Sequence, residues 1–168
     1  MTLGHKSFVN SVHWIKRSSR IISASSDGTI RIWDSKSTEC LREFTPGNLT
    51  SPIMINSIHP VPKTSDEFVV CNRSNTIYIV DLQGQVLNSF TSSKRKGGDF
   101  LHCLLSPKGE WLYGVAEDRN LYCSSTESNQ LENLIEAHNR EVIGLHHHPH
   151  QNIICTYSDT GEMKLWKP

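Results

Sequence analysis

One segment of the chain recurs four times, and this repetition restricts the fold more than any other feature. The segment at residues 21–34 reads Ile-Ile-Ser-Ala-Ser-Ser-Asp-Gly-Thr-Ile-Arg-Ile-Trp-Asp. Its pattern returns at 68–81, 112–125 and 154–167. Equivalent turn positions are spaced by about 42 to 47 residues, within the range of known repeat architectures. These turn positions are Asp27, Ser74, Asp118 and Thr160. Such a period indicates stacked copies of one small supersecondary unit.

Each copy of the repeat predicts short β-strands. In the first copy we expect strands at 11–14, 20–25, 29–33 and 39–44, separated by polar turns. Short strands at this period predict an all-β fold, a β-propeller built of four-stranded antiparallel blades. We expect residues 1–168 to form one partial propeller domain. Its repeats span approximately 4–44, 45–90, 91–134 and 135–168.

The fourth repeat is expected to lack its outer strand. Its third strand falls at 163–166, and only Lys167-Pro168 follows. The three residues before Gly4 are too few to supply a fourth strand. We therefore predict an open arc whose exposed ends self-associate or pair with missing blades. Closure of the four blades into a small ring is the alternative.

Polar residues of the first repeat form a recognisable set. A Gly-His pair opens this repeat, a Trp-Asp pair closes it, and together they resemble the WD40 repeat family. The family's structural tetrad maps onto His5, Ser23, Asp27 and Trp33. These groups can form one hydrogen-bonded chain between packed sheets. A Ser-His-Asp catalytic triad would need an open cleft and an oxyanion hole, so we do not expect an enzyme.

The later repeats keep less of this tetrad. The fourth has His138, Thr156 and Trp166, but Thr160 stands where the first repeat has its aspartate. The third keeps Asp118 alone, and the second keeps none of the four. We expect these blades to depend mainly on apolar packing.

No metal or cofactor is predicted. The histidine-rich run at 146–150 offers imidazole ligands, but strand alternation sends His147 to the opposite face from His146 and His148. The five cysteines are far apart and contain no Cys-x-x-Cys pair, so we expect reduced packing residues.

A basic loop between the second and third repeats is the candidate partner-contact site. It contains Lys94, Arg95 and Lys96, followed by two glycines and Asp99. Three cations on a loop can meet phosphate or an acidic peptide. The alternative interpretation is a solvated flexible loop with no partner.

Charge and hydropathy restrict the location and the class of partner. The formal net charge is +0, which argues against a strongly basic nucleic-acid binder. No run approaches the roughly 20 apolar residues of a membrane-spanning helix, and no signal peptide is visible. We therefore expect a nuclear or cytosolic chain without a membrane partner.

Several strings in the degenerate repeats narrow the family resemblance. They resemble the C-terminal propeller portion of Smu-type WD40 splicing proteins, and they span 68–76, 97–100, 105–111, 147–152 and 164–168. The resemblance implies a nuclear, non-catalytic scaffold of pre-mRNA splicing with spliceosomal protein partners and at most weak or indirect RNA contact. The alternative is a general peptide-binding WD40 adaptor for ubiquitin ligation or signalling.

Overall fold

The computed structural model describes residues 4–48, 52–94 and 96–167. These residues form strands joined by short turns, with one 3-10 turn at Pro46–Asn48. The strands are β1 (Val9–Trp14), β2 (Arg20–Ser25), β3 (Ile30–Asp34), β4 (Cys40–Phe44), β5 (Ile55–Pro60), β6 (Glu67–Asn72), β7 (Thr76–Asp81), β8 (Val86–Thr91), β9 (Phe100–Leu105), β10 (Trp111–Ala116), β11 (Asn120–Ser125), β12 (Leu131–Glu136), β13 (Val142–His147), β14 (Ile154–Ser158) and β15 (Met163–Trp166).

The described strands form four separate antiparallel sheets, which we number as blades one to four. Three sheets have four strands and the last has three, β13 to β15. Neighbouring strands in each blade follow one another in sequence, so every blade is a meander. The all-β propeller prediction is confirmed, and the four predicted strands of blade one lie within two residues of their observed bounds.

The first strand of each blade, β1, β5, β9 or β13, contains a β-bulge near its start. In blades one and two the bulged residues are Asn10 and Asn56. A bulge re-aims the side chain of its extra residue. Asn10 donates to the carbonyl of Ile55 at 2.7 Å, and Asn56 donates to the carbonyl of Phe100 at 3.0 Å. The bulges therefore tie each of these blades to the next one.

Apolar side chains fill the space between consecutive blades. The cluster between blades one and two includes Ile22, Ile30 and Phe68, all at most 1% exposed. A second cluster joins blades two and three, and a third joins blades three and four. Every strand alternates its side chains between two faces. Each inner blade can therefore pack on both sides.

The two ends of the stack remain uncovered, so the propeller is partial and open. On blade one, Val12 and Trp14 are 55% and 63% exposed, and they form part of what we call the first open face. On blade four, Met163 and Leu165 are 69% and 70% exposed and mark the last open face. In the part of the chain that the structure describes, no helix has the length and apolar character of a membrane span.

Candidate functional site

The tetrad residues of blade one form a continuous hydrogen-bonded chain. Trp33 Nε1 donates to Ser23 Oγ at 2.8 Å, and Ser23 Oγ lies 2.7 Å from His5 Nε2. His5 Nδ1 lies 3.1 Å from Asp27 Oδ2. With the proton on Nδ1, His5 donates to the carboxylate and accepts from the serine hydroxyl. Each polar group of these four side chains therefore has a hydrogen-bond partner, although the side chains are shielded from water.

Asp27 is the anionic end of this chain, and the turn is built to hold its charge. It accepts hydrogen bonds from the Thr29 hydroxyl at 2.6 Å, the Thr29 amide at 2.9 Å and the Lys6 amide at 2.7 Å. Burial opposes ionisation, but these bonds, together with the one from His5, outweigh it and hold the pKa of Asp27 well below its ordinary value. The side chain therefore stays charged and pins the start of the blade to its turn.

This network lies on the first open face. Cross-strand register places Val12 beside Ser23 and Ser23 beside Arg31, so these residues share one face of the sheet. The guanidinium of Arg31 lies 5.7 Å from the centre of the Trp33 ring and pairs with Glu43 at 2.8 Å. The open face therefore combines exposed apolar side chains with a preorganised polar centre.

Blade four has an equivalent network, completed by a residue that the sequence did not single out. Trp166 Nε1 and His138 Nε2 both lie 2.8 Å from Thr156 Oγ1. His138 Nδ1 lies 2.9 Å from Glu162 Oε2, and this hydrogen bond lowers the pKa of the Glu162 carboxyl. Thr160 instead bonds the hydroxyl of Ser158 at 2.9 Å. Blade four is therefore not dependent on apolar packing alone.

Glu162 can reach His138 because of its position in the chain and the length of its side chain. It lies two residues after Thr160, at the position that Thr29 occupies in blade one. The longer glutamate side chain reaches the histidine that a shorter aspartate meets from the turn. An acidic residue within two positions of the turn is the sequence signal that could have identified it.

Blade three uses its turn aspartate in another way. Asp118 accepts a hydrogen bond from Tyr122 at 2.8 Å and from Asn120 at 2.8 Å, and it pairs with the ammonium of Lys94. Burial opposes ionisation of Asp118, but these partners, led by Lys94, lower its pKa. Burial and the Asp118 carboxylate together raise the pKa of Tyr122. Lys94 thus pairs with the turn carboxylate of blade three, as His5 pairs with that of blade one.

The described lysines of the candidate partner-contact loop differ in their surroundings. Lys94 faces Asp118, whereas Lys96 is exposed to solvent. Asp99 is half-buried, and its carbonyl accepts from the Glu117 amide at 3.0 Å. Arg95 lies outside the described residues. Among the described residues of the loop, Lys96 is therefore the cation most available to a partner.

A groove lies on the opposite edge of the arc, between the turns that join the first and second strands of blades three and four. Its volume is about 330 Å³. Half-buried Trp111 lines it together with Pro107 and Pro149, and Lys108 and Glu110 border it. Aromatic and proline side chains in a shallow groove suit the docking of a peptide side chain.

The histidine-rich run does not act as one unit. His147 stacks against Tyr113 with ring centres 5.7 Å apart, and His148 Nδ1 accepts from the amides of His150 and Gln151. His146 is exposed on the other face of β13. The described residues contain no group of three or more His, Cys, Asp or Glu side chains arranged to hold a metal ion.

Comparison with known proteins agrees with this architecture. The family model for "WD domain, G-beta repeat" matches residues 1–34. The first 34 residues therefore match a WD40 repeat. It is 41% identical over 98% of its length to "WD40 repeat-containing protein smu1" of Dictyostelium discoideum, of which it covers 31%. It is 30% identical over 87% of its length to "WD repeat-containing protein 90" of Xenopus tropicalis, of which it covers 7%.

Solved structures share the fold of this chain. The WD40 β-propeller domain of Doa1 superposes with a TM-score of 0.82 at 18% identity. A chain of the mitotic checkpoint complex superposes with a TM-score of 0.80 at 20% identity. Each match covers 98% of this chain but only 52% and 50% of those chains. The chain therefore spans about half of these structures and about a third of smu1.

Proposed function

We propose that the chain is a non-catalytic protein-interaction scaffold that acts in pre-mRNA splicing in the nucleus. The observation that carries this proposal is the 41% identity to smu1 across 98% of the chain. The strings that carry the Smu-type resemblance fall in degenerate repeats, where a general WD40 pattern would not produce them. Splicing is what the Smu-type resemblance implies, and partners are accordingly spliceosomal proteins, with RNA contacted weakly or indirectly.

The state of the candidate nucleophile supports a non-catalytic role. Ser23 is the only serine hydroxyl of the blade-one network, is 4% exposed and already bonds both Trp33 and His5. A serine nucleophile needs room for a substrate carbonyl and donors for the developing oxyanion. The position of Ser23 beneath the Trp33 indole instead suits a structural hydrogen bond.

Partner binding is proposed at the two edges of the arc. One edge carries the exposed Lys96 of the basic loop, and the other carries the groove beside Trp111. Turns and loops at the edges of blades are accessible, whereas the faces between blades are packed. An acidic segment of a partner suits the first edge, and an apolar side chain suits the second.

The two open faces need a cover, and we propose that further blades or a second copy of the chain supply it. Exposed Trp14 and Leu165 at opposite ends of the arc would otherwise remain in water. The chain matches only about half of the propeller structures that share its fold, which suits either occupant.

The splicing proposal is tested by affinity purification of the tagged chain from nuclear extract, with and without ribonuclease. Spliceosomal proteins that remain after ribonuclease treatment are the expected result. Recovery of ubiquitin-ligase or signalling subunits in their place would instead favour the general adaptor.

A matched pair of variants tests the basic edge. Lys96→Glu should reduce capture of the partner, most strongly at low salt, because the attraction is electrostatic. Lys36→Glu, which reverses an exposed lysine on blade one, serves as the control. Equal capture by both variants would remove the basic loop from the contact site.

A further inference from the structure

The inner strands place one histidine of each blade along the concave wall of the arc. They are His13, His59, His102 and His146, on β1, β5, β9 and β13. The rings of His13 and His59 lie 5.3 Å apart between centres. His59, His102 and His146 line a groove of about 440 Å³, which we call the histidine groove. The packing of four blades thus gathers side chains that lie a full repeat apart in sequence.

The chemistry of this groove is unusual because it lacks fixed charge. Within the described part of the chain, no Asp, Glu, Lys or Arg lines it. Besides His59, His102 and His146, its titratable lining groups are Cys103, His147 and Tyr157. Ser57 also lines the groove, is 4% exposed, and its hydroxyl has no hydrogen-bond partner among the described residues. A buried hydroxyl without a partner is costly, so an incoming acceptor would be favoured.

Burial and neighbouring imidazoles affect the protonation of the histidines along this wall. Burial lowers the pKa of His102, and burial also lowers that of His13 against a hydrogen bond to the Ile58 carbonyl. Burial, followed by the charges of His13, His102 and His146, lowers the pKa of His59 to about 4. Acid therefore places like charges opposite one another with no lining carboxylate to offset them.

We propose that the histidine groove binds a free divalent oxyanion of the phosphate class when its imidazoles are protonated. His59, His102 and His146 supply N–H donors to the anion oxygens. The bound anion offsets the repulsion between the imidazolium groups. By linkage, each proton that the groove takes up strengthens anion binding, and the anion in turn raises proton affinity. This site is independent of the proposed scaffold role.

The test uses inorganic sulfate, because its charge stays constant across the relevant pH range. Binding to the complete chain is measured by calorimetry at about pH 4.5 and pH 7.5, because the lowered pKa of His59 requires the more acidic condition for protonation. Circular dichroism confirms the fold at the lower pH, and sodium chloride at matched ionic strength is the reference. One unit of pKa displacement corresponds to about a tenfold change in affinity. We expect sulfate to bind at least about tenfold more tightly at the lower pH.

Variants identify the site. His59→Gln and His146→Gln should each weaken sulfate binding at low pH and reduce its pH dependence. His150→Gln, which changes an exposed histidine in a turn outside the groove, should bind like the parent. Circular dichroism checks folding, and if His59→Gln unfolds, the exposed position of His146 keeps that variant informative.

Two results would overturn the proposal. One is a sulfate affinity that is the same at both pH values. The other is an equal loss of binding in His150→Gln and in the groove variants, which would indicate non-specific attraction to histidine charge.

Discussion

The shared hydroxyl of Thr156 gives the sharpest test of the blade-four network. Thr156→Val keeps the shape of the side chain but removes the oxygen that bonds both His138 and Trp166. Thr156 and His138 are 0% and 1% exposed, so water cannot easily replace the lost partner of the imidazole. Trp166 is half-buried and loses less, because its indole N–H can reach water.

The magnitude follows from these exposures. A buried polar group without a partner costs about 1–3 kcal/mol. With the smaller loss at Trp166 added, Thr156→Val should lower the free energy of unfolding by roughly 2–4 kcal/mol. Thr156→Ser is the matched control, because blade one uses serine at this position; it keeps the oxygen and loses a methyl group, which costs about 1 kcal/mol.

Urea denaturation followed by far-ultraviolet circular dichroism measures both variants, with stability taken from the midpoint and slope. The valine variant should unfold at a clearly lower urea concentration than the serine variant. If the two free energies of unfolding agree within about 0.5 kcal/mol, the hydroxyl is not a structural centre of blade four.

Three further predictions follow from the same contacts. The pKa of His59 is lowered to about 4, so below about pH 6.5 the unfolded chain binds more protons than the folded chain. The free energy of unfolding should therefore fall by roughly 3 kcal/mol as the pH drops from 6.5 to 4. In urea titrations, His59→Gln should lose much of this pH dependence. Glu162→Ala should lower the melting temperature more than Glu162→Gln, because glutamine retains an oxygen that can accept from His138; equal melting temperatures would contradict the assigned role. Lys94→Met should lower the free energy of unfolding by about 1 kcal/mol at low salt and by less at 1 M salt, because it removes the ion pair with Asp118. Lys96→Met should leave the free energy of unfolding unchanged. A difference between the two variants that does not depend on salt would argue against the ion pair.

The fold could be predicted from sequence because its signal is repeated. Residues 21–34 specify two short strands and a turn, and each later copy restates the same pattern. The residues of the blade-one hydrogen-bonded network could likewise be identified from the sequence, because all four residue types stand at the positions of the WD40 tetrad. Strand ends differ by up to two residues because turns and bulges, such as the one at Asn10, shift the pairing register locally.

The remaining site features depend on side-chain reach and on packing between blades. Glu162 replaces an aspartate from a different position, which an alignment on turn residues hides. Lys94 looks like a solvated loop cation until the fold brings Asp118 beside it. The histidine groove is harder still, because His102 does not occupy the same strand position as His59 and His146.

The central claim is that these blades form an open arc with two uncovered faces, and the mass of the purified chain in solution tests it most directly. Light scattering over a range of concentrations should give a mass above 19.0 kDa that rises with concentration, because the faces at Trp14 and at Met163 and Leu165 associate. Trp14→Lys should bring the mass closer to that of the monomer. A protease-resistant species of 19.0 kDa at every concentration would contradict the open arc and favour closure into a four-bladed ring.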